Sequence, residues 1–253
     1  MLPIEAGTPE MSAETENPAK ANTTLLHKHE SRTQMQTALC AELALVVERS
    51  LSTRSAATLA LAGGSTPLPI YAALAKLPLN WEKVTAISTD ERWVAADHSA
   101  SNSRALKQAF IGCAIKVRPL VPAAALPGSI ANTDCANALL AKFPQNFDAV
   151  LLGMGEDGHF ASLFPNAPLS MFDAEQTTDS IGLTPDPLPP EAPFARVSLS
   201  MSRILRSDCL YLCITGERKL ALLTEPRANK LPIDYLIAAC TARHRIIHVF
   251  WSI

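Results

Sequence analysis

The residues that can do chemistry gather in four short motifs. The densest is Gly153-Met154-Gly155-Glu156-Asp157-Gly158-His159. A histidine two positions after a carboxylate suits proton transfer. Asp157 can fix the imidazole's orientation and tautomer, leaving the other ring nitrogen to take a proton from water. The text also matches GxGxxG after a strand, the pattern of a dinucleotide-binding turn. That fingerprint needs a full helix after its glycines, and Pro165 cuts any helix here short. The reading is therefore a loop with a short helix, His159 at its N-terminus as general-base candidate. The competing reading is a structural histidine with a satisfied ring.

Gly63-Gly64-Ser65-Thr66-Pro67 follows a strand and opens a helix. Glycines allow a tight turn and close approach of backbone to a ligand. Thr66 is a candidate helix cap, with Pro67 in the first turn. Free N–H groups at such a helix end attract anions such as phosphate; the plainer reading is an ordinary capped strand–turn–helix. Thr89-Asp90-Glu91-Arg92-Trp93 follows another strand, so its acids and arginine can orient a substrate. The plainer reading of that segment is a solvated loop with a local ion pair. Arg196 begins a strand, and Lys219 lies in Gly216-Glu217-Arg218-Lys219. Both can bring positive charge to a phosphate, though each alone also fits an ordinary surface residue.

These motifs need a scaffold. Apolar runs predict strands around 57–62, 83–88, 147–152 and 209–215, in RVSLS from Arg196, and in RIIHVFW near the end. Helical spacing appears in 34–51, after Pro67, in SRALKQAF, ANALLAK, ERKLALLTE and PIDYLIAAC. Strands alternating with helices, the strands near-continuously apolar, predict an α/β fold: one mostly parallel sheet with helices on both faces, in a Rossmann-like single domain. Residues 1–25 read as a flexible extension and 26–253 as one catalytic domain. Residues 165–193 hold seven prolines and little periodicity, and read as a long loop that is either disordered or functional, such as a lid. Loops after parallel strands share one edge of the sheet. Gly63, Gly64, Ser65, Asp90, Arg92, His159, Arg196 and Lys219 are therefore expected in one cleft. Arg196 is the weakest member, because it starts its strand. It can join only if that strand runs antiparallel or its side chain reaches across.

Composition bounds the partners. The 253 residues are 48% hydrophobic and 18% charged, with a net charge of −2. That is enough apolar content for one sizeable core, and it argues against a broad nucleic-acid footprint or a basic membrane-binding face. No signal peptide and no bilayer-spanning run are read, and the six scattered cysteines suggest reduced thiols in a cytoplasm. Cys209 and Cys213 are expected on one strand without a metal. His244 and His248 are expected to share a strand face, also without a metal, and His27, His29 and His98 have no evident partners. No metal and no cofactor are expected.

Taken in order, LAGGSTP, TDERWV with Ser101, Asn102 and Arg104 after it, FDAVLLGMGEDGHFASLFP, RVSL and GERK resemble the 6-phosphogluconolactonases, over about residues 27–251. The resemblance implies a sugar-phosphate isomerase type of fold. It implies hydrolysis of 6-phospho-D-glucono-1,5-lactone to 6-phosphogluconate in the pentose phosphate pathway, without a cofactor. His159 would activate water and nearby cations would steady the oxyanion. The family's glycine turn maps onto Gly63 to Thr66 and its phosphate-binding lysine onto Lys219. Arg92 and Arg196 match family arginines, and which of the cations meets phosphate stays open. The oligomeric state is left between monomer and homodimer. Two rivals remain. Related aminosugar-phosphate deaminases carry a glutamate five residues after the histidine, where this chain has Phe164, and Asp-Glu-Tyr where it has Asp90-Glu91-Arg92. Related non-catalytic sugar-phosphate sensors carry a DNA-binding domain, for which the first 25 residues are too short and too acidic.

Overall fold

The computed structural model describes residues 23–126, 128–129 and 131–253. The first half runs β1 (Thr24–His29), α1 (Arg32–Arg54), β2 (Ala57–Leu61), α2 (Leu68–Leu74), β3 (Val84–Ser88), β4 (Asp90–Arg92), α3 (Asn102–Ala109), β5 (Lys116–Arg118), α4 (Asp134–Leu140) and β6 (Phe147–Gly153). The second half adds β7 (Ser180–Leu183), β8 (Arg196–Leu199), α5 (Met201–Leu205), β9 (Ser207–Thr215), α6 (Glu217–Thr224), α7 (Pro232–Ala242) and β10 (Ile247–Ser252).

Seven strands form one wholly parallel sheet in the order β1-β10-β9-β6-β2-β3-β5. Its central strands are apolar on both faces because both faces are covered. Leu59, Leu61, Ala149 and Leu151 pack with Leu39 and Leu43 of α1 and Ile70 of α2. Their chain neighbours Ala60, Val150 and Leu152 point the other way, into a core with Leu236 and Ile237 of α7. Helix α1 starts where the Ser31 side chain accepts a hydrogen bond from the Gln34 N–H, and ends at Ser55 in the left-handed region (φ 58°). Leu43 on its inner face is fully buried, so truncation to Ala is expected to cost about 2–5 kcal/mol.

The chain steps outward from β2 to β3 and β5, then returns to place β6 on the other side of β2. Strand order reverses there. The loops leaving β2 and β6 diverge and open a crevice at the carboxyl edge.

Several expectations change. Thr89–Trp93 is not simply a loop: β4 lies within it and heads a second, antiparallel sheet, β4-β8-β7. The segment 165–193 contains β7 and a 3-10 turn at Leu169–Phe172. No helix follows His159, because Ala161 turns left-handed (φ 47°) and Phe160 bridges to Leu163. Pro67, not Thr66, is the cap of α2, and no side chain bonds there. Residues 1–22 of the expected extension lie outside the described residues, while Thr24 and Leu25 already belong to β1, paired with β10. His244 stands in a turn (φ 52°) ahead of β10 and so does not share a strand with His248. His27 does have a partner, His248 at 3.3 Å, and His98 accepts from the Ala100 N–H at 3.1 Å. His29 stacks on Phe250. No helix among the described residues is long and apolar enough to cross a membrane.

Candidate active site

At the switch point lies a cleft of about 780 Å³. It is lined by all eight residues expected there, and by Thr66 and Asp157. Gly63, Gly64, Ser65 and Thr66 leave the end of β2. Gly64 adopts φ +95°, a conformation that favours glycine. Gly63 is required for a different reason: any side chain there would run into the Asn102 amide. Asn102 in turn donates to the Asp90 carbonyl at 2.9 Å and to Asp90 Oδ1 at 3.1 Å. Ser162 Oγ donates to Asp90 Oδ2 at 2.6 Å. Asp90 thus ties the glycine turn to the histidine loop, and its carboxylate is committed to protein donors.

The loop after β6 is held by its own backbone. The Gly155 N–H donates to the His159 carbonyl at 2.9 Å, and the Ile233 N–H at the start of α7 donates to the Gly158 carbonyl at 3.1 Å. Gly158 sits at φ +76°. Inside this turn, Asp157 Oδ1 lies 2.6 Å from His159 Nδ1 and accepts the His159 backbone N–H at 3.1 Å. With Nδ1 engaged as the donor, Nε2 is the ring nitrogen left to accept a proton. Burial works to raise the Asp157 carboxyl, but its hydrogen bonds with His159 and the charge between them outweigh this and hold it below the ordinary carboxylate range. Phe164 covers one side of the imidazole, with ring centroids 4.7 Å apart.

Arg92 and Arg196 face each other directly across β4 and β8. The antiparallel small sheet is what brings Arg196 to the cleft even though it begins its strand. Its terminal nitrogens donate to the carbonyls of Phe194 (3.0 Å) and Ala192 (2.7 Å), anchoring the proline-rich wall that runs through Pro185 to Ala192. Burial lowers its pKa to about 10, with Asp90 pulling upward and Arg92 downward. Arg92 donates Nη1 to the Ala100 carbonyl at 2.6 Å, and its buried Nε has no protein partner. Lys219 stands in the first turn of α6 at the cleft wall.

Sequence reasoning missed Ser162 and the scaffolding role of Asn102. Both stand inside motifs that carry the resemblance, but their roles rest on contacts 72 and 12 positions away in the chain.

The fold thus places a histidine–carboxylate pair and several cations together in a switch-point crevice, the position at which open α/β sheets bind ligands. Residues 30–247 match the family described as glucosamine-6-phosphate isomerases/6-phosphogluconolactonase. The 6-phosphogluconolactonase of Caulobacter vibrioides is 34% identical over 193 residues, covering 74% of this chain and 81% of that protein. That of Mesorhizobium japonicum is 32% identical over 225 residues, covering 87% and 92%. The crystal structure of a 6-phosphogluconolactonase from Shewanella baltica superposes with a TM-score of 0.79 at 31% identity, covering 91% of this chain and 98% of that one. The chain belongs to the glucosamine-6-phosphate isomerase/6-phosphogluconolactonase family.

Proposed function

We propose that this enzyme hydrolyses 6-phospho-D-glucono-1,5-lactone to 6-phosphogluconate in the pentose phosphate pathway, with His159 as general base. The observation that carries the catalytic reading is the 2.6 Å contact between His159 Nδ1 and Asp157 at the mouth of the β6 loop. In the proposed reaction, Nε2 takes a proton from water as the water oxygen attacks the lactone carbonyl. The carbonyl oxygen becomes an oxyanion. The tetrahedral intermediate collapses, the ring C–O bond breaks, and the departing ring oxygen receives the proton from the imidazolium. Asp157 orients the ring and steadies its positive charge. Holding water and carbonyl together in one cleft lowers the entropic part of the barrier.

Three cations serve this ligand. Lys219 and the Gly63–Thr66 turn are assigned to the phosphate, in keeping with the close backbone approach that Gly63 and Gly64 permit. Arg92, which lines the cleft, supplies the remaining charge along the substrate. Arg196 serves by holding the wall, since two of its donors are already committed. Asp90 is read as a brace between the turn and the histidine loop rather than a substrate contact. No cofactor enters this scheme.

Phe164 argues against the deaminase alternative. It lies against the His159 ring, where the ring-opening chemistry of the deaminases calls for a carboxylate. The direct test adds the protein to freshly made 6-phosphogluconolactone and follows lactone loss. Acceleration well above the spontaneous rate supports the proposal, and its absence overturns it.

A further inference from the structure

Glu91 stands behind the cleft in a position that the reaction above does not use. It lies between Asp90 and Arg92 yet is fully buried. Its carboxylate is saturated with donors. Oε1 accepts the backbone N–H groups of Arg92 (2.9 Å) and Asn102 (2.7 Å). Oε2 accepts the Ser103 N–H (2.7 Å) and Ser101 Oγ (3.1 Å). Three of these four donors belong to the start of α3 or its cap. A carboxylate at the first turn of a helix satisfies its free N–H groups, and here it clamps that helix start onto β4. The residue just before the cap is Ala100, whose carbonyl accepts the Arg92 guanidinium. Glu91 therefore holds Arg92 at both ends: its backbone directly, and its guanidinium through the acceptor that the helix start presents.

We infer that Glu91 is a positioning residue for the reaction, fixing the direction of the Arg92 guanidinium in the cleft through its clamp on the start of α3. The inference rests on the proposed lactone hydrolysis, in which Arg92 meets the substrate. Burial raises the Glu91 carboxyl, while the donors from Asn102, Ser103 and Arg92 work against that rise. Glutamine has the same shape, but its amide would turn donors toward N–H groups that need an acceptor. The clamp then loosens without a change in volume.

The test is a double-mutant cycle on kcat/KM for lactone hydrolysis, using Glu91→Gln, Arg92→Ala and the pair, with melting curves to establish that each folds. Positioning through Arg92 predicts that Glu91→Gln costs about tenfold or more when Arg92 is present and no more than about twofold when Arg92 is absent. Equal losses in both backgrounds would show a general structural role and overturn the inference. If Glu91→Gln gives no sharp melting transition, Glu91→Asp enters the same cycle and is judged by the same criterion. If the wild-type protein accelerates no lactone hydrolysis, it is the proposed function that has failed. The cycle is then read on thermal protection by 6-phosphogluconate, whose sugar-acid portion would meet Arg92: coupling of Glu91 to Arg92 still supports the positioning role and additivity still overturns it.

Discussion

Gly155→Ala is the smallest change that should disable the site while sparing the fold. Gly155 is not in the left-handed region, so its φ does not by itself demand glycine. Space does not. An added methyl would stand 2.5 Å from Asp157 Oδ1 and would collide with the His159 ring at Nδ1, where ordinary contact begins near 3.4 Å. The carboxylate and imidazole must therefore retreat by about 1 Å, and a misplacement of that size near reacting groups can cost about 10²-fold. The loop is exposed enough to absorb the shift, with the His159 side chain 33% and Asp157 47% accessible. The expected result is a loss of about 10²-fold in kcat, with a melting temperature near that of wild type and undiminished protection by 6-phosphogluconate. The assay is lactone hydrolysis corrected for the spontaneous rate. Near wild-type turnover would mean that the His159–Asp157 geometry does not set the rate.

Three further outcomes are expected. 6-Phosphogluconate should protect the protein against heat and gluconate should not, by about 2.7 kcal/mol at a hundredfold excess over Kd. Lys219→Ala should remove most of that shift, and retention of the full shift would displace the phosphate from Lys219. Asp157 has its folded pKa below its unfolded value, so its contribution to stability is present above the ordinary carboxylate range and lost as pH falls through the folded value. Any stability advantage of wild type over Asp157→Asn should therefore narrow on acidification in denaturation midpoints, and a constant gap would refute the link. Ammonia release from glucosamine 6-phosphate should be negligible beside lactone hydrolysis, given Phe164 against the imidazole. Comparable rates would restore the deaminase reading.

What the sequence made legible follows from burial. β2, β3, β6 and β9 lie inside a parallel sheet covered on both faces, so they read as apolar runs. Motifs at their carboxyl ends could then be placed on one edge without knowing the contacts. β4 reads as a polar loop because its residues are Asp90, Glu91 and Arg92. They are drawn into the structure by hydrogen bonds from α3 and by pairing with β8 rather than by apolar burial. β7 is hidden among prolines, and β1 ends in His27, Lys28 and His29, which carry no strand alternation of the usual kind. The helix expected after His159 fails at Ala161, whose left-handed conformation no local signal announces. In the site, glycines and His159 were legible because their types are unusual at a strand end. The commitments of Asp90 and Arg196 to Ser162, Asn102 and the proline-rich wall were not, because they depend on tertiary partners.

His159→Ala tests the central claim most directly. The ring is part-exposed and lies against Phe164 and Asp157, so the variant should melt near wild type and still be protected by 6-phosphogluconate. Its kcat for 6-phosphogluconolactone, measured above the spontaneous rate, should fall by about 10²–10⁴-fold, the usual worth of general-base help. A folded, ligand-binding His159→Ala protein that hydrolyses the lactone at the wild-type rate would contradict the account.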